Sequence, residues 1–192
     1  MRSFLILLIA LFGMYGCQDE TSANAVTSGT NYTKEQKKAM ENIDINSYAE
    51  VADVFLETNT IKSNGLPYFL VFSANGCVYC DRLKDLIKEN AEIKEFLKEN
   101  YAPYYINVSY SKTHFVEFID KSVVTADLAE KYGVKPTPTL VFLSKSGKEL
   151  FVYPGFMPKE RFQKALEFFK NPELENMESQ NIKQAFQDFI QS

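Results

Sequence analysis

Cys77 and Cys80 stand two residues apart in FSANGCVYCDRL (72–83), between the apolar run YFLVF (68–72) and a charged stretch with helical spacing. Two thiols at that separation can act as a reversible disulfide, as half of a metal site, or as a structural staple. The chain has three cysteines and one histidine, His114. A structural zinc site takes about four ligands, so zinc would have to recruit carboxylates, and no metal is expected. Covalent haem attachment calls for a histidine directly after the second cysteine, where Asp81 stands. A disulfide across so short a loop restrains the unfolded chain little, which weakens the staple. A pair of inert core thiols stays open, although Cys77 falls at a strand-to-helix junction and not within an apolar stripe.

A redox dithiol uses every feature of the arrangement. A cysteine at a helix N-terminus faces unpaired backbone N–H groups and the positive end of the helix dipole. Both favour thiolate, the nucleophilic form. Cys77 is then the group that attacks a partner's disulfide. Cys80, one turn onward and aligned with Leu83 and Ile87, faces inward and resolves the mixed disulfide. No cofactor is needed beyond the Cys77–Cys80 pair itself.

The elements around the pair follow from periodicity. YFLVF reads as a strand buried on both faces, with a helix after it and a second helical stretch running to about Lys98. PYYINV (103–108), TLVFL (139–143) and ELFVY (149–153) are further strands, the last two joined by the turn SKSGK. Thr125 is placed to cap the short helix ADLAEKY, and Pro158 opens a helix with Phe162, Ala165, Leu166 and Phe169 on one face. Right-handed crossovers then give an α/β fold with a four-stranded mixed sheet flanked by helices. Helical extensions are expected at both ends. Residues 34–64 carry Tyr48, Val51, Ala52, Phe55 and Leu56 at three- and four-residue spacing, and residues 171–192 carry Ile182, Ala185, Phe186, Phe189 and Ile190. Residues 109–124 have no clear period; a partly helical insertion around Phe115, Phe118 and Ile119 is one reading.

The chain's start has a different character. MRSFLILLIALFGMYGC (1–17) has one cation and a short apolar run before Gly16 and Cys17, the form of an export signal. Its end resembles a bacterial lipobox, which implies cleavage before Cys17, lipidation of Cys17 and attachment to the inner or outer membrane. Gln18, not aspartate, follows, which in that sorting pattern points to the outer membrane. Residues 18–33 are small and polar and read as a flexible tether. Of the 192 residues 45% are hydrophobic and 14% aromatic, ample for one core, and the net charge of −4 with no basic run gives nucleic acid no purchase.

FLVFSANGCVYC, followed some distance on by KYGVKPTPTLVFLSKSGKEL, resembles the thioredoxin superfamily over residues 65–170. That resemblance implies a thioredoxin fold with a cis peptide bond between Thr137 and Pro138, in a loop lying against the cysteines. It also implies that the Thr137 backbone pairs with the substrate chain, while Pro138 keeps metal off the thiols. Val78 and Tyr79, between the cysteines, are the other candidate substrate contacts. The glycine turn in YPGF (153–156) likewise matches a family feature near the site.

The departures narrow the match. Thioredoxin has a buried aspartate six residues before its first cysteine, where this chain has Val71, so that proton path to the resolving cysteine is missing and a slow resolving step is expected. The strongly oxidising members carry a histidine between the cysteines; this chain does not. Tyrosine before the second cysteine and threonine before the cis proline are closer to periplasmic isomerases and to SoxW-like exported thioredoxins. The SoxW-like resemblance is the nearer, because residues 34–64 look helical and too short for the isomerases' N-terminal dimerisation domain. The function implied is a periplasmic, membrane-tethered thiol–disulfide oxidoreductase that reduces disulfide-containing periplasmic proteins, fed by a membrane thiol reductant. The rivals are an isomerase or oxidant on the same cysteines, and a non-catalytic binding module of the same fold. His114 is read as a surface or internally satisfied residue; Lys84, one turn beyond Cys80, could tune that thiol's pKa but is read as a solvated helix lysine.

Overall fold

A run such as YFLVFS, with no charged side chain, is stable as a strand only where both of its faces are covered. The computed structural model describes residues 43–191 and covers it so: all six residues of this strand are buried. The leader with Cys17, the tether of 18–33 and the start of the extension expected from residue 34 lie outside the described residues.

In chain order the described elements are a 3-10 helix (Ile45–Val51), β1 (Thr60–Ile61), β2 (Tyr68–Ser73), α1 (Val78–Glu89), α2 (Ala91–Asn100) and β3 (Ala102–Asn107). Next come β4 (Thr113–Val116), a 3-10 turn (Glu117–Ile119), β5 (Lys121–Val124), α3 (Thr125–Lys131), β6 (Thr139–Leu143), β7 (Glu149–Pro154), α4 (Lys159–Phe169), a further 3-10 helix (Pro172–Asn176) and α5 (Ser179–Gln191). The expected four-stranded mixed sheet is present, in the order β3-β2-β6-β7. β2 runs parallel to β3 and antiparallel to β6, and β6 runs antiparallel to β7.

Alternation along β2 sorts the core into two layers. Phe69 and Val71 face α1, α2 and α4, while Tyr68, Leu70 and Phe72 face the side covered by α3. On the first side aromatic rings carry the packing: Phe169 lies 4.7 Å from Phe142 and 4.7 Å from Phe186, ring centre to ring centre. Phe186 thereby docks the C-terminal helix α5 onto β7 and α4. Burying one such ring contributes about 1.5–3 kcal/mol.

Three expectations are corrected. The described part of 34–64 is helical only over its first turns, in a 3-10 helix kinked at Tyr48; beyond it the chain turns and becomes extended. Leu56 bridges to Tyr104 at the free edge of β3, and its N–H donates to the Pro103 carbonyl (2.9 Å). The apparent helical spacing is satisfied another way: Tyr48 and Phe55 both pack on Tyr105, at 4.8 and 5.3 Å.

The ambiguous 109–124 stretch is a hairpin, β4–β5, joined to β1 as a second, three-stranded sheet, and the partly helical reading holds only for the 3-10 turn Glu117–Ile119 between its strands. Its period of two is disguised because His114 points in and Phe115 points out.

Finally, Thr125 does not cap α3. Its hydroxyl oxygen meets the Lys112 backbone and the His114 ring instead (2.9–3.1 Å).

That hydroxyl belongs to a buried polar network tying the N-terminal segment to the hairpin. Lys112 Nζ pairs with Asp44 Oδ1 (2.9 Å), and the Thr58 hydroxyl donates to Asp44 Oδ2 (2.7 Å). His114 is fully buried and satisfied at both nitrogens: Nδ1 lies 2.7 Å from the Thr58 carbonyl and Nε2 lies 2.9 Å from Thr125 Oγ1. A carbonyl only accepts, so Nδ1 carries the hydrogen. Burial holds this imidazole below the ordinary histidine range, against the opposing pull of the Thr58 bond.

The unfolded chain therefore takes up this proton at a higher pH than the folded one. The stability it confers is complete above about pH 6.5 and is lost as pH falls below that toward the folded value. Denaturant unfolding between about pH 7.5 and 5 should show this loss, and His114→Gln should flatten it. An unchanged pH slope in the variant would assign the loss to other groups.

Candidate active site

The chain must leave β2 at Ser73 and start α1 at Val78 within a short loop. Gly76 makes the bend at φ +70°, a left-handed conformation that glycine adopts without steric cost. Side chains at the end of β3 hold the loop in place. Asn107 Nδ2 donates to Asn75 Oδ1 (2.8 Å), Asn75 N–H donates to Ser109 Oγ (2.9 Å), and Ser109 N–H donates to Asn107 Oδ1 (2.9 Å). None of these three residues stood out in the sequence, because each acts only through the parallel register that sets Ser73 beside Asn107.

Cys77 is the N-cap of α1 and is joined to Cys80 by a disulfide, their Cα atoms 5.2 Å apart. The backbone N–H of Cys80 donates to Cys77 Sγ (3.1 Å). An amide and a helix N-terminus aimed at one sulfur favour negative charge there once the pair is reduced. Cys77 is half-buried, whereas Cys80 is 2% exposed and packs with Leu83 and Ile87 on the inner face of α1. One sulfur can meet a partner and the other cannot. That is the asymmetry expected of an attacking and a resolving thiol.

The remaining candidates fall around this pair in part. Val78 and Tyr79 project from the first turn of α1, 63% and 54% exposed, and the Arg82 guanidinium lies 5.0 Å over the Tyr79 ring. The Thr137–Pro138 peptide bond is cis. Antiparallel register sets Thr139 beside Phe72, so Thr137 and Pro138 lie at the same end of the central strands as the loop before Cys77. There the Gly155 N–H donates to the Pro138 carbonyl (2.7 Å), bringing in the glycine turn after β7. Thr137 is half-buried and Pro138 buried. Cys17 lies outside the described residues.

Behind Cys80 the structure shows what the sequence reading missed. A polar cleft of about 260 Å³ is lined by Ser47, Ser73, Asn75, Cys80, Lys84 and Tyr105 among others. Lys84 is not a solvated helix lysine but is 9% exposed. Its ammonium donates to the Ser47 carbonyl (3.0 Å) and pairs with Glu50 (2.7 Å) and Asp81 (3.1 Å). Burial alone would lower its pKa, but the bonds to Glu50 and Asp81 outweigh burial and raise it. Its place one turn after Cys80 was legible; the carboxylate from the preceding segment was not. Tyr105 sits in register with Val71 and is kept neutral by burial, against the pull of a bond from Ser73.

A second cavity of about 250 Å³, lined by Leu66, Ser144, Leu150 and Phe169 among others, lies at the opposite end of the central strands, away from the cysteines. Among the described residues no group of three or more His, Cys, Asp and Glu side chains could hold a metal ion. Nor, among them, is any helix long and apolar enough to cross a membrane.

Comparison with known proteins places this geometry. The family model of the thioredoxin-like domain matches residues 54–170. Among solved structures, a thioredoxin-fold protein from Helicobacter pylori is 34% identical, covering 77% of this chain and 96% of its own, with a TM-score of 0.71. A thioredoxin from Thermus thermophilus is 24% identical over 54% of this chain and 72% of its own, with a TM-score of 0.43. The exposed lipoprotein thioredoxin of Streptococcus pneumoniae is 24% identical over 61% and 88%, with a TM-score of 0.40. No curated protein matches in sequence.

Proposed function

The chain belongs to the thioredoxin-like family, and from that premise we propose that it is a thiol–disulfide oxidoreductase that reduces disulfides of partner proteins through Cys77 and Cys80. The observation that carries this reading is the asymmetry of the pair: Cys77 half-buried at a helix start with an amide on its sulfur, Cys80 buried one turn behind it. Cys77 thiolate attacks a partner disulfide, forming a mixed disulfide and releasing one partner thiolate. Cys80 thiolate then attacks Cys77 Sγ, and the second partner thiolate leaves. Two electrons pass from the pair to the partner, and two protons follow to the partner's sulfurs.

Reduction is the favoured direction because no histidine stands between the cysteines to stabilise the reduced pair; Val78 and Tyr79 are uncharged. These two side chains, with the Thr137 backbone and Pro138, form the proposed substrate-contacting surface. The pair itself is the only redox group required.

The proposed location is the periplasmic side of a membrane, on a lipid carried by Cys17, with residues 18–33 as tether. Disulfide-containing periplasmic proteins are the proposed partners, and a membrane thiol protein the electron donor.

Two experiments test the reading. Cys77→Ser should bring insulin-disulfide reduction to the uncatalysed background. Cys80→Ser should do the same while leaving a mixed disulfide trapped on Cys77. Activity or partner binding that survives both changes would favour a docking module. For the anchor, Cys17→Ser should abolish metabolic labelling with palmitate in cells, and label that persists would contradict it.

A further inference from the structure

Val71 leaves the resolving cysteine without the buried acid that thioredoxins place there, yet Cys80 is not sealed in hydrocarbon. Its inner side opens on the polar cleft described above, whose rim residues Asn75, Gly76 and Asp81 are exposed. Lys84 lines the same cleft from the same face of α1, four residues and about one turn beyond Cys80. Its three N–H donors are all engaged, by Ser47, Glu50 and Asp81, so the ammonium is fixed in place.

We propose that Cys80 loses its proton to solvent through this cleft, and that the fixed ammonium of Lys84 stabilises the Cys80 thiolate in the resolving step. This rests on the oxidoreductase reading and adds to it a charge that stands in for the missing acid.

The groups facing Lys84 are Glu50 from the 3-10 helix, Asp81 on α1 and Tyr105 on β3, with Lys88 near Glu50. Two carboxylates stand against this one ammonium. Exposure decides between them: the side chains of Glu50 and Asp81 are 35% and 64% exposed and that of Lys84 is 11% exposed. Water screens the carboxylates more than the ammonium. Tyr105 stays neutral and can only lend a hydrogen bond. The balance of the step is simple. Cys80 S–H gives its proton to solvent, its sulfur bonds to Cys77 Sγ, and the bond from Cys77 to the partner sulfur breaks, its electron pair leaving on the partner.

The test uses the full chain with Cys17→Ser, reduced and mixed with a chromogenic aromatic disulfide in a single turnover. The first coloured thiolate reports attack by Cys77 and the second reports resolution by Cys80. Where Lys84→Met lowers the thiolate fraction about tenfold, the more basic thiolate that remains attacks about threefold faster. The second release should therefore be about threefold slower near neutral pH and about threefold faster in alkaline solution, so that the two pH profiles cross. Lys84→Arg should restore the parent profile. Glu50→Gln, which removes a negative charge while Ser47 and Asp81 still hold the ammonium, should shift the profile in the opposite direction.

A second release that is unchanged in Lys84→Met, or slowed equally at every pH, would overturn the proposal and leave the oxidoreductase reading standing. Absence of the first release in the parent chain would overturn both.

Discussion

The start of a helix leaves amide hydrogens short of partners, and here the Cys80 N–H, which also reaches the Cys77 carbonyl (3.0 Å), is aimed at the Cys77 sulfur. The Cys80 N–H that donates to Cys77 Sγ exists because β2 stops at Ser73, Gly76 turns the chain, and α1 begins at Val78. Move that junction by one residue and the reactive sulfur no longer sits at the helix N-cap. The rest of the molecule can be understood as what holds it still. Parallel pairing of β2 with β3 supplies Asn107 and Ser109 to brace the loop, and antiparallel pairing with β6 brings the cis Pro138 bend to the same end of the strands. The aromatic layer around Phe142, Phe169 and Phe186 packs α4 and α5 against the sheet.

The segments added to the basic fold reach the same centre. The N-terminal 3-10 helix contributes Ser47 and Glu50 to the Lys84 ammonium. It is itself anchored through Tyr48 and Phe55 on Tyr105, and through the buried Asp44–Lys112 pair. A buried ion pair costs solvation and is retained where losing either partner would cost more, about 3–5 kcal/mol. The hairpin β4–β5 is thus connected to the cysteines: Lys112 fixes Asp44, and the same short segment presents Ser47 and Glu50 to α1.

What could be read from the sequence was whatever depended on local pattern. YFLVF, TLVFL and ELFVY alternate or run apolar as buried strands do, and the structure places them within a residue of those bounds. The cysteine pair at a strand-to-helix junction was recognisable because its chemistry is written in adjacent residues, whereas the cis proline after Thr137 was expected only from the family resemblance.

What was not legible depends on distant partners. The spacing of Tyr48, Val51, Ala52, Phe55 and Leu56 fits an α-helix, yet Tyr48 and Phe55 are buried by ring contacts to Tyr105 on β3 while the backbone turns and extends, leaving Leu56 exposed. His114 and Phe115 invert the usual inward and outward choice, because the histidine finds both of its bonds inside. Lys84 could be placed one turn beyond Cys80, but Glu50 and Ser47, which hold its ammonium, come from a separate segment.

The central claim, that Cys77 and Cys80 form a working reductant, is tested most directly by the reduction potential of the pair. The full chain with Cys17→Ser would be equilibrated with defined ratios of reduced and oxidised glutathione, and the thiol form counted by its mass shift on alkylation. The chain has no tryptophan to report the change by fluorescence. A value near the thioredoxin range, about −270 mV, is predicted. A value near about −120 mV would make the protein an oxidant and contradict the account.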